Sequence, residues 1–280
     1  MKYLILGKDG QLSREFIKKL ENKKENFKAF NHKECDISDL NKVLQVVDDY
    51  KPDIILNCAA YNLVDLAEKN FFDAYKTNAL GVKNLLLASE KQNAFLITYS
   101  TDYVFDGTKE NGLYTEEDET NPLNEYGKSK LTGEKWILES SYEKFLIFRT
   151  SWVYGEGKQN FIYKLLQWAK NNEYLKIAYD EISVPTSTKT IVEITLKAIE
   201  NRLTGLYHLT NSGYASRYEW AKKVFDIKNI NKFIKPVSSE IFNLPAKRPK
   251  FSAMSNEKIK YLLNIEIKNW EEELEEVLVL

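Results

Sequence analysis

The chain has 280 residues, of which 43% are hydrophobic and 29% charged, and its formal net charge is −1. That length supports a large α/β core or a core with a smaller lobe. The near-zero charge and 13% aromatic content exclude a disordered chain, and no overall basic field favours nucleic acid or an anionic membrane. The two cysteines, Cys35 and Cys58, make no disulfide framework and read as packed thiols in a reducing compartment. The apolar run at residues 3–6 is too short for a signal peptide, and no later run reaches the roughly 20 residues of a membrane span. The expected location is the cytoplasm.

In chain order, residues 3–6 read as a buried strand, 7–10 as a glycine-punctuated turn and 13–20 as a helix. A short strand follows at 27–30, a helix at 40–50 and a near-continuous apolar strand, DIILNCAA, at 53–60. A long helix at 74–91 leads to a strand at 94–100, a helix at 125–138 and a strand at 145–150. Strands alternating with helices predict parallel βαβ units, and continuous apolar strands predict a sheet covered on both faces. The expected fold is α/β, a Rossmann-type doubly wound parallel sheet with a smaller C-terminal substrate lobe. The pattern loosens after about residue 152. Helical spacing recurs at 161–170, 191–201, 218–224 and 269–280, with short strands at 174–179 and 206–209. The predicted domains are 1–152, with segments of 175–205 returning to the sheet, and 153–280. No internal repeat is visible.

The first strand runs into Gly7-Lys8-Asp9-Gly10-Gln11-Leu12-Ser13. A dinucleotide pyrophosphate needs a tight turn, close backbone approach and a helix N-terminus with unpaired N–H groups. Gly7 and Gly10 supply the first two, and Ser13 stands where a third glycine is usual. After the second strand come Asn31, His32 and Lys33, with no acid before Glu34. A carboxylate there would bind the ribose of NAD, so its absence favours NADPH, with NADH still compatible.

Tyr126-Gly127-Lys128-Ser129-Lys130 opens a helix, and the i,i+4 spacing puts Tyr126 and Lys130 on one face. A free phenol has a pKa of about 10. A neighbouring ammonium lowers it, so the pair suits proton delivery to a carbonyl oxygen being reduced. Thr101 closes an apolar strand at the carboxyl edge, where open sheets bind ligands, and can hydrogen-bond that carbonyl.

The segments STDYVFDG (100–107), NPLNEYGKSKLTGE (121–134) and RTSWVYG (149–155) resemble the dTDP-4-dehydrorhamnose reductase family. So do GKDGQL (7–12), NCAAYNLVDLAE (57–68), GLYHLTNSG (205–213) and Arg248-Pro249 with Ser252. The likeness spans nearly the whole chain in the correct order. It implies an extended short-chain dehydrogenase that uses NADPH or NADH to reduce the 4-keto group of dTDP-4-dehydro-L-rhamnose, for surface polysaccharide. It implies Tyr126 as acid/base, Lys130 as its activator and ribose anchor, and Thr101 as the hydroxyl that tunes the tyrosine. Gly10, Gln11 and Leu12 would line the pyrophosphate, and Asp36 and Ile37 would meet the adenine end. Ala59, Ala60 and Tyr61 would flank the cofactor near Tyr99, and Asn31 and Asn78 complete the expected cofactor contacts. Asp102, Tyr103 and Trp152 would hold the sugar, and Arg248 is the expected diphosphate contact.

Departures from the family pattern are Ser13 for glycine, Glu181 and Ser183 for an amide and a glycine in DEISVPT, and Arg217 where an aromatic is common. They leave the reduction chemistry intact and bear on which sugar is used. Glu15 matches an acid that holds a divalent ion in some relatives, but Lys189 falls where another is expected, so no metal is assigned. His32 and His208 form no ligand cluster, and His208 is expected to pack in a strand. Two alternatives remain: a reductase or epimerase of another nucleotide sugar, and a catalytically silent regulatory subunit on the same fold. The expected partner is a small nucleotide-sugar molecule, and the protein is a monomer or a homodimer.

Overall fold

Short runs of Ile, Leu, Val and Phe bounded by turns form the strands of the first half. The computed structural model describes residues 1–279. Its first half comprises β1 (Lys2–Leu6), α1 (Gln11–Asn22), β2 (Asn26–Phe30), α2 (Leu40–Tyr50), β3 (Ile54–Asn57), α3 (Val64–Ala67), α4 (Phe71–Tyr75), α5 (Gly81–Gln92), β4 (Phe95–Thr101), α6 (Glu125–Leu138) and β5 (Phe145–Thr150). The second half adds β6 (Val153–Tyr154), α7 (Phe161–Asn171), β7 (Leu175–Ala178), β8 (Ile182–Ser183), β9 (Thr186–Ser187), α8 (Thr188–Glu200), β10 (Gly205–His208), β11 (Ala215–Ser216), α9 (Arg217–Ile227), β12 (Ile234–Val237), α10 (Glu257–Leu263) and α11 (Trp270–Val279). Leu280, the end of the expected terminal helix, lies outside the described residues.

The central sheet has six parallel strands in the order β10-β5-β4-β3-β1-β2. Alternation along β1 sends Tyr3 and Ile5 to one face and Leu4 and Leu6 to the other. The first pair packs with Phe16 and Leu20 of α1 and Ile191 of α8. The second pair packs with Val43 and Val47 of α2 and Leu85 of α5. Helices therefore cover both faces, as in a doubly wound sheet. The sixth strand, β10, comes from beyond α8, so the segment that joins the sheet is Gly205–His208, at and past the end of the expected 175–205. A separate core centred on the fully buried Trp220 joins α7, α9 and α11 beside the β7–β12 pair.

The chain winds one way from β1 to β2 and the other way from β3 onward. Their carboxyl ends form the switch point at which such sheets bind ligands. Two predicted elements differ from what forms. The apolar run at 53–60 stays a strand only over Ile54–Asn57, because Ala59 turns back toward Gly7. The helix predicted over 74–91 is broken by a π-helical turn, Lys76–Leu80. That turn delivers the Asn78 amide to the Tyr61 backbone and the Ser129 hydroxyl.

Candidate active site

The carboxyl ends of β1, β3, β4 and β5 open into a cleft of about 1320 Å³. A single drug-sized ligand needs roughly 300–1,000 Å³, so a dinucleotide and a second ligand can share this space. At one end, Gly7 adopts φ +87°, and a Cβ there would lie 2.7 Å from the Ala59 nitrogen. Only glycine fits that approach. No side chain caps the N-terminus of α1, and Gly10, Gln11 and Leu12 line the cleft beside it. Ser13 occupies the third glycine's place without loss: its buried hydroxyl bonds to the carbonyls of Gly7 (2.6 Å) and Gly10 (2.9 Å). Gln11 donates to the Val153 carbonyl at 2.9 Å and so ties this turn to β6, which follows β5.

Tyr126 and Lys130 lie on the first turns of α6. Asn124 caps that helix by accepting from the Gly127 N–H at 2.8 Å. A side chain at Gly127 would collide with the Tyr103 carbonyl, so glycine lets the Tyr126 turn seat against the end of β4. The half-buried Tyr126 phenol makes a long 3.4 Å contact to Asn62 Oδ1 and faces the cleft with Thr101 and Lys130. Burial raises its pKa, against the opposing pull of the Thr101 hydroxyl. The sequence predicts that Lys130 lowers this pKa, but the groups acting on the phenol are Thr101, Asp102 and Tyr103. The reason is geometric: the Lys130 ammonium donates to the Tyr99 carbonyl on β4. Burial brings Lys130 down to about 8, partly opposed by Glu134 one turn away. Glu134 forms a buried bidentate pair with Arg149 of β5 (Nη2 to Oε2, 2.7 Å), which locks α6 to the sheet.

Asp102 follows Thr101 and is buried. Three hydroxyls converge on its carboxyl group: Thr101 at 3.1 Å, Ser183 at 2.8 Å and Ser252 at 2.6 Å. Burial raises its pKa, while Ser252, Ser183, Thr101 and Arg217 oppose the rise. Pattern reading does not connect Ser183 and Ser252 to Asp102, because they lie in distant segments. Tyr103 meets the Tyr126 ring edge-on, with centroids 6.0 Å apart, and burial pushes its phenol up to about 12. Trp152 lines the cleft with φ +43°, a left-handed conformation that costs a bulky residue about 1–3 kcal/mol. Arg248 lines the cleft too, but Nη1 and Nη2 bond Asp65 at 3.0 and 2.7 Å, and Nη1 also bonds the Ala246 carbonyl. Burial works against its charge, yet Asp65 outweighs that and raises its pKa.

Ala59, Ala60 and Tyr99 line the cleft with the residues above, whereas Tyr61, Asn78 and Tyr103 do not line it. Asn31 accepts from the backbone of Lys33 and Glu34 in its own turn after β2. Asp36 is held below its ordinary value: burial opposes this, and Ser38, His32 and Lys76 outweigh it. Ile37 packs in the core with the Val43 and Leu85 cluster. His208 is fully buried and stacks edge-on with Phe105; burial lowers its pKa to about 3. Cys58 lines the cleft as a thiol whose pKa burial pushes up, and both cysteines are unbridged. Among the described residues, no three His, Cys, Asp or Glu side chains gather to hold a metal ion. Lys189 pairs instead with Glu276 at 3.0 Å. No helix among the described residues is long and apolar enough to cross a membrane.

The family described as "RmlD substrate binding domain" matches residues 1–279. A dTDP-4-dehydrorhamnose reductase of Aggregatibacter actinomycetemcomitans is 35% identical over 98% of this chain and 97% of its own. The crystal structure of a dTDP-4-dehydrorhamnose reductase from Clostridium acetobutylicum superposes with a TM-score of 0.95 at 37% identity, covering 100% of this chain and 99% of its own. A Bacillus anthracis dTDP-4-dehydrorhamnose reductase solved with NADP gives 0.94 at 37% identity, covering 99% and 98%. With likeness over the full length in both sequence and fold, the chain belongs to the dTDP-4-dehydrorhamnose reductase family.

Proposed function

We propose that this protein reduces the 4-keto group of dTDP-4-dehydro-L-rhamnose with NADPH, giving dTDP-L-rhamnose for surface polysaccharide. The observation that carries this is the meeting of Tyr126, Thr101 and Lys130 at the carboxyl edge of a parallel sheet, in a cleft large enough for two ligands. The residues present fit a dinucleotide: Gly7 leaves room where a Cβ would clash, and the uncapped start of α1 opens beside it. Bound NADPH supplies the hydride for the carbonyl carbon. Tyr126 donates its phenolic proton to the oxygen as negative charge builds there. Thr101, whose hydroxyl donates to Asp102 in the structure, would turn that proton to the same oxygen and orient it. Lys130, brought down in pKa by burial and donating to the Tyr99 carbonyl, would hold the cofactor ribose and steady the phenolate that remains. Asp102 and Trp152 position the sugar.

The unit that holds the cofactor comprises 1–152 with α8 and β10, and the remainder of 153–280 forms the nucleotide-sugar lobe. The unbridged cysteines and the reduced cofactor fit a cytoplasmic setting.

The test follows absorbance loss from NADPH, and separately NADH, with dTDP-4-dehydro-L-rhamnose. Consumption that needs the sugar and disappears in Tyr126→Phe supports the reading. Folded protein that binds NADPH and consumes none with this sugar removes it.

A further inference from the structure

Two of the sequence's departures from its family, Glu181 and Arg217, are 36 positions apart yet meet in the cleft. Arg217 Nε stands 3.8 Å from Glu181 Oε2, and the Arg217 N–H donates to the Glu181 carbonyl. The guanidinium carbon lies 3.6 Å from the Trp152 ring centroid, with Phe161 at 5.2 Å and Trp220 at 5.6 Å. The side chain is only 20% exposed, yet among the described residues no group accepts a hydrogen bond from its guanidinium. A planar cation held by stacking, with its donors unused, is preorganised for a planar or multidentate anion.

Other cations around the cleft are less suited. Arg248 has both terminal nitrogens committed to Asp65. Lys130 donates to Tyr99 at the catalytic end. Lys164 and Lys176 are exposed at the rim on flexible stems. Glu181 supplies the partial neutralisation that lets a guanidinium stay buried before ligand arrives.

Resting on the nucleotide-sugar reading above, we infer that Arg217, held by Trp152 and Glu181, is the residue that binds the diphosphate of the substrate, in place of Arg248. Arg248 instead fastens the segment around residue 248 to Asp65 on α3.

Calorimetric titration of the intact protein with dTDP, inorganic diphosphate and thymidine tests this, with NADPH affinity as the check on folding. Arg217→Gln should weaken dTDP and diphosphate by about tenfold to a hundredfold, the worth of charge-assisted hydrogen bonds, and leave thymidine and NADPH unchanged. Arg217→Lys keeps the charge without the fork; it should recover only part of that loss and carries the test if the glutamine variant does not fold. An Arg217→Gln protein that binds dTDP as wild type does, while Arg248→Gln loses it, overturns the inference. Wild type that binds inorganic diphosphate through Arg217 but does not turn over the rhamnose precursor upholds the inference and removes the functional reading. Wild type that turns over the sugar equally well with Arg217→Gln does the reverse.

Discussion

Lys130→Met should make the protein more stable at neutral pH while abolishing its reductase activity. Lys130 is only 7% exposed, so solvent screens its charge little. Its pKa falls from 10.5 to about 8 through burial. At about 1.4 kcal/mol per pH unit, keeping the ammonium charged inside the fold costs on the order of 3 kcal/mol. Methionine has similar length and carries no charge, but it forfeits the hydrogen bond to Tyr99, worth about 1 kcal/mol. The net gain at pH 7 is about 2 kcal/mol. The pH dependence carries the sign. Between about 8 and 10.5 the unfolded lysine binds a proton that the folded one has released, so wild-type stability rises with pH across that window. Below 8 both states are charged and the penalty is complete. Urea unfolding followed by the fluorescence of the five tryptophans should therefore show the variant ahead at pH 7. The difference should shrink by about 1.4 kcal/mol per pH unit toward 10.5. A variant less stable than wild type at pH 7, or a difference that stays flat to pH 10.5, refutes the reasoning.

Tyr126→Phe should lower kcat by about 10²–10⁴-fold with NADPH affinity unchanged; an unaltered kcat takes Tyr126 out of the mechanism. Glu134→Gln leaves the Arg149 guanidinium buried and unpaired, and should cost about 3–5 kcal/mol in urea unfolding. A loss below about 1 kcal/mol would show that the pair does not fasten α6. His208 has a folded pKa of about 3 against 6.5 unfolded, so its contribution is complete above 6.5 and is lost as pH falls toward 3. Wild type should weaken between pH 6.5 and 5 relative to His208→Leu, whose stability lacks that slope; parallel curves for the two proteins would contradict it.

The strands β1, β3, β4 and β5 are legible in the sequence because burial on both faces leaves continuous apolar runs, and the intervening helices show their own period. The late strand β10 is legible for the same reason, though its place beside β5 is not, since sheet order depends on contacts across the chain. The two-residue strands β6, β8, β9 and β11 carry no periodicity to read. Pro236 in β12 argues against a strand until its edge position is known. The π-helical turn at Lys76–Leu80 is invisible for another reason: Asn78 looks like any polar helix residue until Tyr61 and Ser129 are placed against it. At the site, the spacing of Tyr126 and Lys130 is readable, but the direction of the ammonium is not. It is fixed by the Tyr99 carbonyl, on a strand 31 residues earlier.

Each departure from the family pattern finds a partner in the structure, and the partners differ in kind. Ser13 replaces a glycine, but its single hydroxyl proton is shared between the Gly7 and Gly10 carbonyls of the turn, so the turn keeps its shape with a different residue. Ser183 replaces a glycine in the substrate lobe and donates to Asp102, adding a hydroxyl to a buried carboxyl group at the end of β4. Glu181 and Arg217 adjoin the paired strands β8 and β11 and meet in the cleft, bringing charge where the family pattern has an amide and an aromatic. The first change restores local geometry and leaves no donor open. The last sets a guanidinium against Trp152 and Glu181 with donors that are not used within the described residues. Buried polar atoms without partners occur in the core too, such as His208 Nε2 and Trp220 Nε1; what distinguishes the half-buried Arg217 is that it lines an open cleft. On the reading proposed above, reduction would sit on the Tyr126 helix, and what sets this chain apart would lie at the Arg217 end of the cleft.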